Sequence, residues 1–322
     1  MKDDCRYLAF ETGGSKLVVG LGDCDGRLCR TVSLKRGAAD RAPLSFARLL
    51  RAADELCDSH LHARARLAAI GFGFGGTVRR STNSPHVCLH EDGWDDVNVV
   101  EALEDRYGVP VFVENDCKLA ALAEAHFGAG RGARSVFYVT LGTGVGGGFV
   151  LDGRILALGD LGEAEIGHVV VDPDGPPCCC GNVGCVEAIC SGPGLARLCE
   201  LVAERRPSLR AASVLEPSAG SHRIIAAWES GDALADVVVR HAVGGLAKAL
   251  GAVVNLVVPR RIVVGGGLGT STPRLLHLLH DEIDRWVVPY FRQSYSVVPS
   301  SLGVSAVAQG AALLARQGPS RG

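Results

Sequence analysis

Between Gly162 and Gly192 the chain packs one His, five Cys and three Glu into a short span. Cys178, Cys180 and Cys185 are spaced as thiolate ligands of a soft metal ion, and His168 upstream offers an imidazole. Three Cys and one His form a closed set for Zn²⁺. Four protein ligands leave no position for a reactive water, so such an ion would be a structural clamp. Gly181 and Gly184 would let the loop fold tightly around it, while Cys179 and Cys190 fall outside the spacing. The bland alternative is a Cys-rich loop that forms disulfides or nothing. Glu165 and Glu187 flank the four ligands closely enough to be positioned by the clamp.

Two further stretches carry chemistry. Glu11-Thr12-Gly13-Gly14-Ser15-Lys16 puts a carboxylate at a strand end, ahead of glycines, a hydroxyl and a cation. The carboxylate could hold Mg²⁺ through water; the glycines would admit a phosphate that Ser15 or Lys16 contacts. Read plainly, it is a hairpin with a solvated lysine. Asn115-Asp116 stands where a strand gives way to a helix. One of the pair would cap the helix while the other acts as a general base, since helix amide ends favour the ionised carboxylate.

The elements that must position these groups alternate strand and helix, which sets the class as α/β. Residues 6–20 read as strand, Gly turn, strand, with a hairpin turn at Asp25-Gly26. Residues 135–156 repeat that pattern through Gly142-Thr143-Gly144-Val145-Gly146-Gly147-Gly148 and Asp152-Gly153. Two copies imply a duplicated unit, one per domain. Helices are expected over 44–64, 97–107, 118–127, 194–206, 221–230, 232–256, 273–290 and 304–317, strands over 67–74, 109–113 and 261–264, and a polar loop over 77–94. Gly142 to Gly147 and Gly71 to Gly76 both satisfy G-x-G-x-x-G, but each continues without a helix start, so neither fits a dinucleotide fold. No Gly-Lys-Ser/Thr closes a Walker loop. Phosphates, if bound, would meet hairpin amides.

Composition narrows the classes. The 322 residues suffice for one large core or two ordinary ones; 47% are apolar and 21% charged, as in a soluble globular protein. A net charge of −2 with interspersed signs announces no nucleic-acid face. The first residues lack a long apolar run, so no signal peptide is expected. The most apolar stretch, near 246–264, is interrupted by Lys248, Asn255, Pro259, Arg260 and Arg261, which argues against a membrane span. Seven of the twelve cysteines lie singly, which fits reduced thiols in a cytoplasm better than a disulfide framework.

The ordered motifs resemble the ROK family of sugar kinases, relatives of actin and hexokinase. The residues that carry the resemblance are Glu11 to Lys16, Glu114-Asn115-Asp116, Leu141 to Gly148, Glu165-Ile166-Gly167-His168, the Cys block through Glu187, and Val264-Gly265-Gly266-Gly267-Leu268. The resemblance implies a two-domain, actin-like ATPase (ribonuclease H-like) fold with a central cleft, divided as 1–117 plus 305–322 and 118–304. It implies phosphoryl transfer from Mg·ATP to a hexose hydroxyl, usually O6, with Asp116 as base. Asn115, Asp116, Glu165, His168 and Glu187 would bind the sugar, with His168 also on the structural Zn²⁺. Glu11, Gly13, Gly14, Ser15, Lys16, Gly142, Thr143, Gly144, Gly146, Gly265, Gly266 and Gly267 would surround the nucleotide. Dimers are common in the family, so a homodimer is expected. Three departures stand out: Glu11 where many relatives have Asp, Ser15 for Thr, and Gly76-Thr77-Val78-Arg79 where relatives often carry Gly-Pro-Val-Asp. The last leaves glucose, fructose and N-acetylhexosamine as candidate acceptors. The family also contains repressors with an N-terminal helix-turn-helix, for which the early first strand leaves no room. A silent, zinc-clamped sugar binder is the third reading, and the retained Asp116 argues against it.

Overall fold

The computed structural model describes residues 5–14, 16–37, 40–60, 66–88 and 91–319. Ser15 of the first glycine motif lies outside them, as does the last part of the helix expected over 44–64. The chain divides into two compact units, 1–132 with 148–163 and 302–322, and 133–147 with 164–301.

In the first unit, β1 (Cys5–Thr12), β2 (Lys16–Gly22) and β3 (Leu28–Lys35) form an antiparallel meander. Gly26 turns it with a φ of 73°, where glycine carries no Cβ penalty. α1 (Ala42–His60) covers the sheet with Phe46, Leu49, Ala53 and Leu56, the one-face spacing of an amphipathic helix. β4 (Arg66–Phe74) then pairs parallel with β1. The region 77–94, read from sequence as a polar loop, contains a hairpin of β5 (Thr77–Arg79) and β6 (Ser84–Val87). After α2 (Val99–Tyr107), β7 (Val111–Asn115) pairs parallel with β4 and runs directly into α3 (Asp116–Phe127). The hairpin is held by Asn83, whose amide donates to Val111 O and accepts from Val113 N on β7. Sheet order is β3–β2–β1–β4–β7. Phe10, Phe72 and Phe74 fill its core with Trp94 set edge-on against Phe72 and Phe74.

The second sheet follows the same plan. β8 (Ser135–Leu141), β9 (Val145–Leu151) and β10 (Arg154–Ile155) form the meander. α4 (Val186–Cys190), α5 (Gly192–Arg205), α6 (Pro207–Ala212), α7 (Ser221–Glu229) and α8 (Ala233–Val257) precede β11 (Arg261–Gly265), which pairs parallel with β8. α9 (Gly266–Gly269) and α10 (Pro273–Ile283) lead to β12 (Val297–Pro299) beside β11. The order is β10–β9–β8–β11–β12, the first sheet's order position for position. The duplicated unit expected from the glycine turns is therefore present. The helix expected to reach 290 stops at Ile283, and β12, α4 and α6 were not anticipated.

α8 is long and apolar enough to cross a bilayer by length and composition. It is instead the core helix of the second unit, with Val238, Leu250 and Val254 fully buried and α4, α5, α7 and α10 packed on it. α11 (Ala306–Gln317) returns to the first unit. There it lies so close to α3 that a Cβ on Gly310 would fall 2.0 Å from Leu119 O. That contact keeps residues 118–127 with the first unit, whereas the sequence reading drew the boundary at 117.

Candidate active site

In the first unit the structure gathers the catalytic candidate and the first glycine turn. Asn115 is the N-cap of α3: its Oδ1 accepts from Cys117 N at 2.9 Å and Lys118 N at 3.2 Å, and its Nδ2 donates to Gly76 O at 3.0 Å. Asn115 thus takes the capping role and leaves Asp116 as the first helical residue. Asp116 Oδ1 accepts from its neighbour Cys117 N at 2.7 Å. The other oxygen faces Gly75. A Cβ built on Gly75 would lie 3.1 Å from Thr12 O, 3.8 Å from Asp116 Oδ2 and 3.9 Å from Gly13 Cα. Carboxylate and glycine turn are therefore neighbours across Gly75, a residue that sequence reasoning did not single out. The Gly71 to Gly76 stretch matches a dinucleotide signature without the helix that follows one, and its place beside two other strand ends is set by long-range pairing that no local pattern carries.

Around that turn, Thr12 Oγ1 donates to Gly73 O and accepts from Gly75 N. Gly13 N donates to Lys16 O at 3.1 Å, closing the hairpin. At Gly14 a Cβ would meet no other described residue within 4 Å. Lys16 Nζ is held by Glu11 Oε1 at 2.8 Å and donates to Val304 O at 2.5 Å. Glu11 is 3% exposed, and its Oε2 has no hydrogen-bond partner among the described residues. Burial pushes its carboxyl up, and Lys16, with the backbone N–H of Ala308, pulls it back only in part. A buried carboxylate oxygen left without a donor among the described residues is a position a cation or its water would satisfy.

A second cluster in this unit was missed in the sequence. Arg80 forks onto Glu163, with Nη1 to Oε2 at 2.7 Å and Nη2 to Oε1 at 2.5 Å. Lys118, only 3% exposed, reaches the same carboxylate at 3.3 Å, and Glu114 lies 3.6 Å from Arg80. Burial pushes Glu163 up, but the hydrogen bonds from Arg80 and the charge of Lys118 outweigh it and hold the carboxyl below its ordinary value. Arg79 pairs with Asp160 at 3.2 Å, and Arg80 Nη1 donates to Gly159 O at 2.7 Å. The segment 159–163 is thereby strapped to Arg79 and Arg80, at the end of the Gly76-Thr77-Val78-Arg79 stretch that departs from the family pattern.

In the second unit the Cys and His residues converge. The ligand atoms of His168, Cys178, Cys180 and Cys185 all lie within 4.8 Å of one another. His168 Nδ1 to Cys178 Sγ is 3.7 Å, and Cys180 Sγ to Cys185 Sγ is 3.7 Å. Four ligands about 2.3 Å from a common centre stand about 3.8 Å apart along a tetrahedron edge. The donor set thus has the type and spacing of a structural zinc site. Because Nδ1 faces the thiols, Nε2 is left for another partner. Gly184 permits the fold: its φ is 69°, and a Cβ there would fall 1.5 Å from Asp172 O. Glu187, in the first turn of α4, accepts from Val145 N at 2.9 Å through Oε2 and from Cys179 Sγ at 3.2 Å through Oε1. Glu165 stands exposed at the start of the short turn that carries His168.

The two glycine segments expected to meet a nucleotide are also neighbours in this unit. Gly142 N donates to Gly144 O, forming the turn that holds Thr143, and β9 carries Gly146 onward. β11 pairs Gly265 with Thr140 on β8. Gly266 has a φ of 80°, and a Cβ on it would strike Leu141 O at 2.2 Å. At Gly142 and Gly267 a Cβ would meet no other described residue within 4 Å.

Comparison with known proteins accounts for this layout. The chain is 30% identical to a glucokinase of Halalkalibacterium halodurans over 98% of its length and 96% of that protein's. It is 30% identical to the DNA-binding transcriptional repressor Mlc of Escherichia coli, covering 96% of this chain and 75% of that one. A ROK glucokinase of Streptomyces griseus solved with glucose and AMPPNP superposes with a TM-score of 0.80 at 29% identity, over 97% of this chain and all of that one. That likeness bears out the α/β, actin-like ATPase fold with its paired sheets. The ROK family model matches residues 7–318, through both units and every motif described above. The chain belongs to the ROK family.

Proposed function

We propose that this protein is an ATP-dependent hexose kinase that transfers the γ-phosphoryl group to a sugar hydroxyl, with O6 of glucose as the leading acceptor. The observation that carries the reading is the neighbourhood of Gly75. A carboxylate at the N-terminus of α3 and the glycine hairpin that would face phosphates meet there within one unit. Phosphoryl transfer needs placement and charge stabilisation more than covalent chemistry. Asp116 takes the proton from the attacking hydroxyl, from the N-terminal end of α3 where backbone amides favour negative charge. The hairpin at Gly13 and Gly14, and the turns at Gly142 to Gly144 and Gly265 to Gly267, offer backbone close to phosphates. Glu11 Oε2 suits a Mg²⁺ ion held directly or through water, which when bound neutralises charge on the phosphoryl oxygens.

The sugar is read by Glu165, His168 and Glu187. A carboxylate accepts two hydroxyl hydrogen bonds, which suits a polyol. His168, Cys178, Cys180 and Cys185 would hold a structural Zn²⁺, with His168 offering Nδ1 to it and keeping Nε2 for the sugar. Thiolate ligands of this kind suit a reducing cytoplasm. The family habit of pairing chains supports a homodimer. A panel of hexoses with Mg·ATP, read by ADP release, tests the reading; no ADP with any sugar defeats it. The likeness to a repressor favours a second reading, a sugar-binding regulator. Such a protein would bind a hexose and release no ADP.

A further inference from the structure

Cys179 has no role in the four-ligand clamp, yet it is not idle. It is exposed, and its thiol donates to Glu187 Oε1 at 3.2 Å. The ligand atoms of Cys178, Cys179 and Glu187 lie within 4.8 Å of one another, a second donor cluster that shares Cys178 with the first. We propose that Cys178, Cys179 and Glu187 form a second, weaker site for a thiophilic divalent metal ion such as zinc, and that occupation of this site withdraws Glu187 from the sugar.

The geometry needs little adjustment. An ion about 2.3 Å from a sulfur and about 2.1 Å from a carboxylate oxygen sees atoms 3.2 Å apart at an angle near 90°, within the range of distorted zinc sites. The carboxylate is already aimed. Its Oε2 is fixed by Val145 N at 2.9 Å, and Glu187 is held in the first turn of α4 with 9% exposure. That leaves Oε1 directed at the Cys179 sulfur. Cys178 can bridge, because a thiolate bound to one ion keeps a lone pair for another. The step is an exchange without redox change: the Cys179 thiol releases its proton to solvent and its sulfur takes the ion. Three protein donors leave a position for water, so this ion exchanges while the four-ligand clamp persists. In the clamp motif the residue between the first two thiolates need not be a ligand, and here it happens to be a third thiol.

The consequence for catalysis rests on the sugar-kinase reading; the metal site itself does not. If Glu187 binds a sugar hydroxyl, metal and sugar compete, and added zinc raises KM for the sugar with kcat unchanged. The test uses the enzyme purified with its clamp metal, dialysed against increasing free Zn²⁺ and analysed for metal per chain. The wild type is expected to bind two ions and Cys179→Ser one, with the first ion retained in both. One ion in the wild type, or two in Cys179→Ser, overturns the proposal. In kinetics, added zinc should raise KM several-fold in the wild type and leave Cys179→Ser unmoved; equal inhibition of both overturns the link to Glu187. An enzyme silent on all hexoses would remove the kinase reading, and the ion count would still decide the site.

Discussion

Gly75→Ala isolates the point where the proposed base and the first glycine turn meet. The backbone there is outside the left-handed region, so alanine is conformationally allowed. Loss of unfolded-state freedom even favours it by about 0.4–1 kcal/mol. The added methyl carbon would stand 3.1 Å from Thr12 O, closer than an ordinary contact, and 3.8 Å from Asp116 Oδ2. Relief requires the β1 end at Thr12 to retreat by a few tenths of an ångström, carrying the glycine turn with it, while Asp116 Oδ2 stays at ordinary contact distance. If a misplacement of about 1 Å costs about 100-fold in rate, half that distance costs about tenfold in kcat/KM, or about 1.4 kcal/mol. Folding should be nearly unaffected, with Tm within about 3 °C of wild type. Steady-state ADP release and thermal melting on the same preparation measure both. Full activity with unchanged Tm would refute the idea that this space is shared by the reacting groups. A lost fold would show that Gly75 serves packing alone.

Other outcomes follow from the same contacts. Gly184→Ala places a Cβ 1.5 Å from Asp172 O, so the loop must open and the chain should purify without its zinc, whereas Gly181→Ala, with open space and only a left-handed φ to strain it, should retain the metal; metal analysis separates them. Arg80→Met leaves Glu163 with Lys118 and the Leu158 N–H and should destabilise by about 1.5 kcal/mol, seen as a lower urea midpoint; an unchanged midpoint would contradict the strap. Glu163 has a folded value below its ordinary 4.5, so its ionised form adds stability above that pH, and the contribution is lost as pH falls through the folded value. Glu163→Gln should therefore melt lower than wild type at neutral pH, and the gap should close below pH 4.5; a gap independent of pH would show that charge is not the cause.

The sequence showed clearly whatever was local. Asp25-Gly26 and Gly142 to Gly144 announced hairpins because only a few residue types tolerate such turns, and their recurrence exposed the duplicated sheet plan. The Cys and His spacing announced a ligand set because the ligands lie within one short segment. What failed was long-range. The β5–β6 hairpin has strands of three and four residues with no clear alternation, and Asn83 secures it to β7 from outside. The place of α3 was decided by α11, almost 200 residues later, through contact at Gly310. Arg80 and Glu163 are 83 residues apart and looked like ordinary surface charges until folding joined them. Asn115 and Asp116 were both open as cap or base, and only the hydrogen bonds to Cys117 and Lys118 assigned the cap to Asn115.

Asp116 carries the central claim, and it can be tested directly. ADP release from Mg·ATP should be strong with glucose or another hexose and near background without sugar. In Asp116→Asn, kcat should fall by about 100- to 10,000-fold, the usual contribution of a positioned base, while calorimetry still detects sugar binding. Near-normal turnover in Asp116→Asn, or no sugar-dependent ADP from the wild type, would contradict the account.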